Sequence, residues 1–183
     1  MTRIKVSKEK PQKQQLARLL AEIMVGLRFL MGAVILWLGV IYYGTLPSPG
    51  LIYLFIFNII GWTTDFLDGP LARYSKTRPG LLGKNDFVAD MFFAWINALA
   101  LSLMGLFHPA ILVAYFIIYL VVLHGYRKKI ISMIFAVPVE ALPFFTILYF
   151  YPWLALIYLI WILACFLLLH RRVWDVFNEV TRK

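Results

Sequence analysis

Residues 65–90 read DFLDGPLARYSKTRPGLLGKNDFVAD and join the ends of two strongly apolar segments. The stretch contains four aspartates in two pairs: Asp65 and Asp68 are three residues apart, and Asp86 and Asp90 are four apart. On helices, each spacing places both carboxylates of a pair on one face. We therefore expect two helices to turn these faces toward each other and to bring the four carboxylates together.

Carboxylates gathered at one place repel one another unless a cation neutralises them. Ligands that are all oxygen favour a hard divalent ion such as Mg2+ or Mn2+ over zinc, which prefers nitrogen and sulfur. Gly69 and Ala72 follow Asp65 and Asp68 by one turn, so this face is otherwise bare and a bulky ligand can approach the backbone. Arg73 adds a positive charge suited to a phosphate or a carboxylate. The pattern predicts a metal site beside a ligand site.

The composition is that of a membrane protein. Hydrophobic residues make up 62% of the 183 residues and charged residues only 15%, whereas soluble domains carry about a quarter charged residues. The net charge of +9 is concentrated beside the apolar segments, which favours anionic lipid headgroups over nucleic acid as the partner. Cys165 is the single cysteine, so no disulfide is expected.

Six apolar stretches are each near the ~20 residues that cross the hydrocarbon core of a bilayer. They cover residues 22–44, 51–73, 85–107, 109–127, 129–150 and 152–169. We predict an all-α integral membrane fold with six transmembrane helices in one domain, 22–170, followed by a basic cytoplasmic tail, 171–183. The preceding basic juxtamembrane segment, 1–21, lacks the apolar core of a signal peptide. It is either a solvated tail or carries a short surface helix around Gln14–Ala21 that binds anionic lipid.

Charged residues are distributed on one side of the predicted spans. The joints near 45–50, 107–109 and 150–152 contain no Lys, Arg, Asp or Glu, whereas the alternate joints and both terminal segments are basic. By the positive-inside rule, both termini and the loop within 65–90 face the cytoplasm. At a rise of ~1.5 Å per residue, the two aspartate pairs then lie at the same level, just beneath the cytoplasmic interface.

The aspartate stretch resembles the signature of the CDP-alcohol phosphotransferases, D-x2-D-G-x2-A-R followed after a loop by G-x3-D-x3-D. The positions in register are Asp65, Asp68, Gly69, Ala72, Arg73, Asp86 and Asp90. One position departs, because Leu82 stands where the family has glycine, between Gly80 and Gly83. The segment Thr77–Gly80 resembles, with shifted spacing, the loop that touches cytidine in the family, so Thr77 is a candidate substrate-binding residue.

The resemblance implies an enzyme that transfers the phosphatidyl group from CDP-diacylglycerol to a small alcohol and releases CMP in phospholipid synthesis. It further implies a homodimer in the bacterial plasma membrane, with the active site facing the cytoplasm. Glycerol 3-phosphate is the favoured acceptor, and inositol phosphate, serine or another lipid are the alternatives. By the resemblance, Asp65, Asp68 and Asp86 would bind two Mg2+ or Mn2+ ions. Asp90 would complete the coordination shell and act as the general base. Gly69 and Arg73 would contact the cytidine diphosphate.

Other charged residues near the spans allow more than one interpretation. Arg28 is suited to bind a donor phosphate, to counter an aspartate, or to anchor the first span by reaching the interface. Lys84, Arg127 and Lys128 are candidates for an acceptor phosphate and also fit ordinary cytoplasmic flanks. Glu140 should face a cavity or a partner, or remain protonated, because a lone carboxylate in lipid is costly.

Two classes without catalysis also fit the acidic residues. A divalent-cation carrier would distribute its acids through the membrane depth, whereas four of the nine acidic residues here share one predicted interface. This clustering favours the enzyme. A structural subunit that retains the pattern without turnover is separated from the enzyme only by an assay.

Overall fold

The computed structural model describes residues 9–75, 80, 83–126 and 129–181, and the regular structure within these ranges is entirely helical. The helices are α1 (Glu9–Ile41), α2 (Pro49–Ser75), α3 (Asp86–Met104), α4 (Pro109–Tyr126), α5 (Lys129–Phe150) and α6 (Pro152–Thr181). A short 3-10 helix, Gly83–Asn85, precedes α3. The all-α prediction is confirmed.

Four helical segments in the described ranges are long and apolar enough to cross a membrane: Gln12–Ile41, Pro49–Ser75, Gly83–Met104 and Ile131–Phe150. Pro109–Gly125 and Pro152–Cys165 are also apolar but shorter. Large apolar side chains such as Trp37, Ile117 and Leu163 are exposed on these helices, as expected where lipid replaces water. The chain therefore has the helices of a membrane protein.

The two ends of the chain differ from the prediction. Residues Gln14–Ala21 do not form a separate surface helix, because they are part of the continuous helix α1, Glu9–Ile41. No Gly or Pro interrupts the sequence between Pro11 and Gly26, and Pro11 falls in the first turn, where its missing N–H removes no helical hydrogen bond. The predicted tail 171–183 is likewise helical as far as Thr181.

Proline and glycine define several helix ends. Pro49, Pro109 and Pro152 each occupy the first position of a helix, where the missing N–H has no intrahelical partner to lose. Helix α3 ends at Gly105, whose φ of 104° lies in the left-handed region that glycine adopts without a steric penalty. The N–H groups of Gly105 and Leu106 close the helix by donating to the carbonyls of Ser102 and Leu101, about one turn back.

Helix α1 packs against both α2 and α3, and small residues allow the close approach to α3. A Cβ placed on Gly39 would lie 2.7 Å from Ala100 Cα, and one on Gly32 would lie 2.7 Å from the Phe92 ring. Small residues let membrane helices approach at backbone distance. Because Gly32 is one turn from Arg28, this seam brings the Arg28 side chain to the ends of α2 and α3.

The chain divides into two compact units, Met1–Pro143 and Phe144–Lys183. In the first unit, Ala94, Ala98 and Val139 are buried in a cluster packed by aromatic and leucine side chains. In the second unit, the Tyr158 ring stacks on those of Phe144 and Trp161, with centroids 5.6 and 5.8 Å away. All the described residues of the candidate site belong to the first unit.

Candidate functional site

The guanidinium of Arg28 lies among all four aspartates. Its Nη1 atom donates hydrogen bonds to Asp90 and, at 3.3 Å, to Asp65 Oδ1. Its Nη2 atom donates to Asp68 and, at 2.5 Å, to Asp86 Oδ1. The predicted convergence of two carboxylate pairs is therefore present, with an arginine from a third helix at its centre.

Local helix structure explains where each carboxylate points. Asp65 and Asp68 lie in the second half of α2, three residues apart on one face. Asp86 is the first residue of α3 and Asp90 follows one turn later. The first turn of a helix stabilises negative charge through its unsatisfied N–H groups and the helix dipole, so Asp86 is favoured there.

The four carboxylates differ in their access to the surroundings. The side chain of Asp68 is 5% exposed and that of Asp86 is 44% exposed, whereas Asp65 and Asp90 are intermediate. Asp68 thus forms the closed side of the cluster and Asp86 its open side.

Arg28 itself is 1% exposed, and its buried Nε is without a hydrogen-bond partner among the described residues. This burial excludes the interpretation of Arg28 as an anchor that reaches the interface. The contacts match the interpretation in which Arg28 counters the aspartates. Arg73 and Lys84, two other basic residues near the aspartates in the sequence, form no ion pair with an aspartate in the described ranges.

Among the described residues, one guanidinium faces the four carboxylates, so this group of side chains carries a formal excess of three negative charges. Charges taken out of water are stable only when they are well compensated. A divalent cation is the ordinary compensation for several carboxylates in one place. The electrostatics of the cluster therefore favour cation binding.

The donor set also fits a hard divalent ion. Oxygen atoms of Asp65, Asp68 and Asp86 lie within 4.8 Å of one another. Oxygens that bind one Mg2+ ion at about 2.1 Å lie at most about 4.2 Å apart, so small side-chain rotations bring this triad into range. Asp90, the fourth predicted ligand, joins the cluster through Arg28, and its place in the shell stays a prediction.

A cavity of ≈ 300 Å³ extends from this cluster. Arg28, Asp65 and Asp90 line it together with Glu140 of α5 and with apolar and amide side chains of α2, α3 and α5. For Glu140, the sequence predicts that the side chain faces a cavity, faces a partner, or remains protonated. In the structure, Glu140 lines this cavity.

A neutral network inside the cavity was not predicted from the sequence. Asn58 Nδ2 donates to Asn97 Oδ1 at 2.5 Å, Trp62 Nε1 donates to Asn58 Oδ1 at 2.9 Å, and Asn97 Nδ2 donates to the Phe93 carbonyl at 2.8 Å. Asn58 precedes Asp65 by seven residues and Asn97 follows Asp90 by seven. Seven residues are two helical turns, or about 10 Å, and this spacing was the available signal that the amides share the aspartate faces.

The remaining predicted site residues lie apart from the carboxylate cluster or outside the described ranges. Gly69 is half-buried in α2, and Ala72 and Arg73 are exposed in its last turns. Lys84 is exposed in the 3-10 helix. Thr77, Arg127 and Lys128 lie outside the described residues, so their predicted roles stay predictions.

The loop that departs from the family signature approaches α1 at Gly80. A Cβ on Gly80 would overlap the carboxylate of Glu22, and the Gly80 carbonyl accepts a hydrogen bond from the Lys84 N–H at 3.2 Å. A side chain at position 80 would therefore displace the Glu22 carboxylate, which is the end of a flexible side chain. The Glu22 carboxylate is also held by Arg18 at 3.1 Å.

Fold and site together define an all-helical chain with helices of membrane-spanning length and a cluster of acids suited to a divalent cation. Comparisons of the chain with protein-family models, with curated proteins and with solved structures gave no match.

Proposed function

We propose that this chain is an integral membrane transferase of the CDP-alcohol phosphotransferase type. It moves the phosphatidyl group of CDP-diacylglycerol to the hydroxyl of a small alcohol and releases CMP. The observation that carries the proposal is the convergence of Asp65, Asp68, Asp86 and Asp90 on one buried guanidinium. Their spacing is the one that resembles the family signature.

We also propose that α1 to α6 all cross the bilayer, with both termini and the loop between α2 and α3 in the cytoplasm of a bacterial cell. The one-sided distribution of Lys and Arg supports this orientation. The shorter segment Pro109–Gly125 extends about 25 Å at ~1.5 Å per residue, and slight local thinning of a ~30 Å core accommodates it. Helix α6 continues beyond its apolar part to Thr181, so its length does not limit a crossing.

In the proposed reaction, the acceptor hydroxyl oxygen attacks the phosphorus that carries diacylglycerol. A P–O bond forms to the acceptor, and the bond from that phosphorus to the oxygen bridging the pyrophosphate breaks. CMP leaves with the bridging oxygen and its electron pair. The carboxylate of Asp90, which lines the cavity and is 31% exposed, takes the proton of the hydroxyl.

Asp65, Asp68 and Asp86 would hold the divalent ions, because their oxygens already lie close together. When bound, Mg2+ or Mn2+ supplies neutralisation of the pyrophosphate and of the charge that develops on CMP. Arg28 holds the four carboxylates toward one point from the side of α1. Positioning and charge are what phosphoryl transfer chiefly requires of a protein.

Release of CMP from CDP-diacylglycerol tests the proposal. We expect the purified chain in lipid–detergent micelles to release CMP when both Mg2+ and a suitable alcohol are present. Asp90→Asn removes the proton acceptor and should lower kcat by about 10²- to 10⁴-fold. Glu22→Gln is the matched control, because the Glu22 carboxylate pairs with Arg18 outside the cluster.

Two results would overturn the transferase. One is the absence of CMP with every alcohol in a broad panel while the protein remains folded. The other is an Asp90→Asn variant as active as the wild type. Uptake of Mn2+ into vesicles containing the chain, without CMP release, would instead favour the cation carrier.

A further inference from the structure

The cavity beside the aspartates bears on which alcohol is the acceptor, and this inference rests on the proposed transferase function. The acceptor hydroxyl must reach Asp90, and Asp90 lines the cavity of ≈ 300 Å³ that also contains Glu140. A small alcohol held there therefore places the rest of its structure against the walls of this cavity. The chemistry of those walls selects the acceptor.

The charges of the walls disfavour an anionic acceptor. Asp65, Asp90 and Glu140 contribute three carboxylates, and Arg28 is the one cationic side chain among the described residues that line the cavity. That guanidinium is already occupied by aspartates on both terminal nitrogens. An acceptor phosphate would meet repulsion from these carboxylates, and no cationic side chain among the described lining residues is left to bind it.

The neutral donors of the walls are also engaged. Asn58 Nδ2, Asn97 Nδ2 and Trp62 Nε1 each donate to an acceptor within the protein. Phosphate recognition relies on donors directed at the ligand. This network directs the Trp62 N–H and one N–H of each amide to protein oxygens instead.

Glu140 is the lining group placed to recognise a cation. It lies in α5 between Pro138 and Pro143 and is half-buried. Its carboxylate forms no hydrogen bond or ion pair with the described residues. A carboxylate at this depth is costly unless a partner compensates it, and the aromatic walls formed by Trp62, Phe87 and Phe93 favour a cation as well.

We propose that the cavity selects an amino alcohol, whose cationic ammonium group pairs with Glu140 while its hydroxyl faces Asp90. The acceptor carries no phosphate. This assignment replaces glycerol 3-phosphate, the acceptor expected from the family resemblance. Glu140 is accordingly the residue that determines acceptor specificity.

A matched acceptor pair tests the assignment. Ethanolamine and ethylene glycol differ in one terminal group, ammonium in place of hydroxyl, and glycerol 3-phosphate and serine complete the panel. We expect CMP release with ethanolamine to have a KM at least about tenfold lower than with ethylene glycol, the range of a charge-assisted hydrogen bond. Serine should be used less well than ethanolamine, because its carboxylate meets the carboxylates of the walls. Glycerol 3-phosphate should be the poorest acceptor.

Variants of Glu140 separate recognition from structure. Glu140→Gln keeps the shape and removes the charge, so it should raise the KM for ethanolamine about tenfold with kcat within about twofold. The KM for ethylene glycol should not change. Glu140→Asp retains the charge and should restore part of the affinity, and Glu22→Gln again serves as the control.

A binding measurement without CDP-diacylglycerol provides a second readout. Ethanolamine should raise the Tm of the wild-type protein and not that of Glu140→Gln. If no acceptor releases CMP, the transferase proposal fails, and this Tm shift alone then decides whether the cavity binds an amine. An unchanged Tm in that case overturns the inference.

Three further outcomes overturn the inference while the transferase stands. The first is preferred use of glycerol 3-phosphate, and the second is equal use of ethylene glycol and ethanolamine. The third is a Glu140→Gln variant whose acceptor KM is unchanged but whose Mg2+ requirement for half-maximal activity differs from that of the wild type. That result would mean that Glu140 acts on the metal and not on the acceptor.

Discussion

Two polar clusters lie within the same unit of this protein, and they differ in how their groups are balanced. In the neutral cluster, Asn58, Asn97 and Trp62 satisfy one another and a backbone carbonyl. In the charged cluster, four carboxylates share one guanidinium, which leaves an excess of three negative charges among the side chains that the structure describes. A closed hydrogen-bond network holds helices together, whereas an excess of charge attracts a ligand of opposite sign.

The largest effect is expected when the charged cluster loses its most buried carboxylate. Asp68→Asn should lower kcat about 10³-fold or more, because a bound divalent ion supplies several kcal/mol of transition-state stabilisation and each ~1.4 kcal/mol is tenfold in rate. CMP release over a Mg2+ titration measures this. Asp86→Asn, at the exposed side of the cluster, should lose less, and equal losses would contradict the distinction between the two sides.

The second prediction concerns the stability of the charged cluster without its arginine. Arg28→Met should lower the free energy of unfolding by about 3–5 kcal/mol in the absence of Mg2+, because buried carboxylates lose their counter-charge. Added Mg2+ should recover part of the loss, since it binds the folded state. Thermal unfolding in micelles with and without Mg2+ measures both effects.

Arg18→Met is the matched control for that experiment. Arg18 forms an exposed pair with Glu22, so its loss should change stability by less than about 1 kcal/mol and independently of Mg2+. An Arg28→Met loss that Mg2+ leaves unchanged would argue against cation binding by the four aspartates.

The neutral cluster should respond differently. Asn58→Leu and Asn97→Leu should each cost about 1–3 kcal/mol, because the remaining amide is left in a buried site without its partner. The double variant should cost less than the sum of the two. The loss in the free energy of unfolding should be the same with and without Mg2+. A loss that depends on Mg2+ would contradict the distinction between the neutral and the charged cluster.

The smallest effect is expected at the seam that brings α1 to the other two helices. Gly39→Ala places a Cβ 2.7 Å from Ala100 Cα and should cost about 1 kcal/mol or slightly more through overpacking. A Cβ on Gly125 meets no atom within 4 Å, so Gly125→Ala should not destabilise the helix. Equal Tm values for the two variants would show that the seam is not tightly packed.

The convergence of the aspartates was predictable because it depends on spacing along a helix. Residues three or four apart share a face whatever the helix packs against, and prolines that can only begin a helix placed several of the ends. Countering an aspartate was one of three interpretations of Arg28, and the sequence did not indicate that Arg28 would contact all four aspartates. That contact depends on how closely α1 approaches α3, which is determined by tertiary packing at Gly32 and Gly39.

The amide network and the continuous first helix were missed for related physical reasons. Asn58 and Asn97 lie on different helices. Their spacing of seven residues from Asp65 and Asp90 indicates that they share the aspartate faces, but not that the two amide side chains contact each other. The start of α1 was interpreted as a solvated tail or a short surface helix because its charges resemble those of a juxtamembrane segment. Without a helix-breaking residue after Pro11, the chain has no local reason to bend there.

The exposure gradient across the aspartates determines the order in which an arriving ion meets them. An ion that enters from solution reaches Asp86 first and Asp68, 5% exposed, last. The rate of ion capture should therefore follow changes at Asp86, whereas the residence time of the captured ion should follow changes at Asp68.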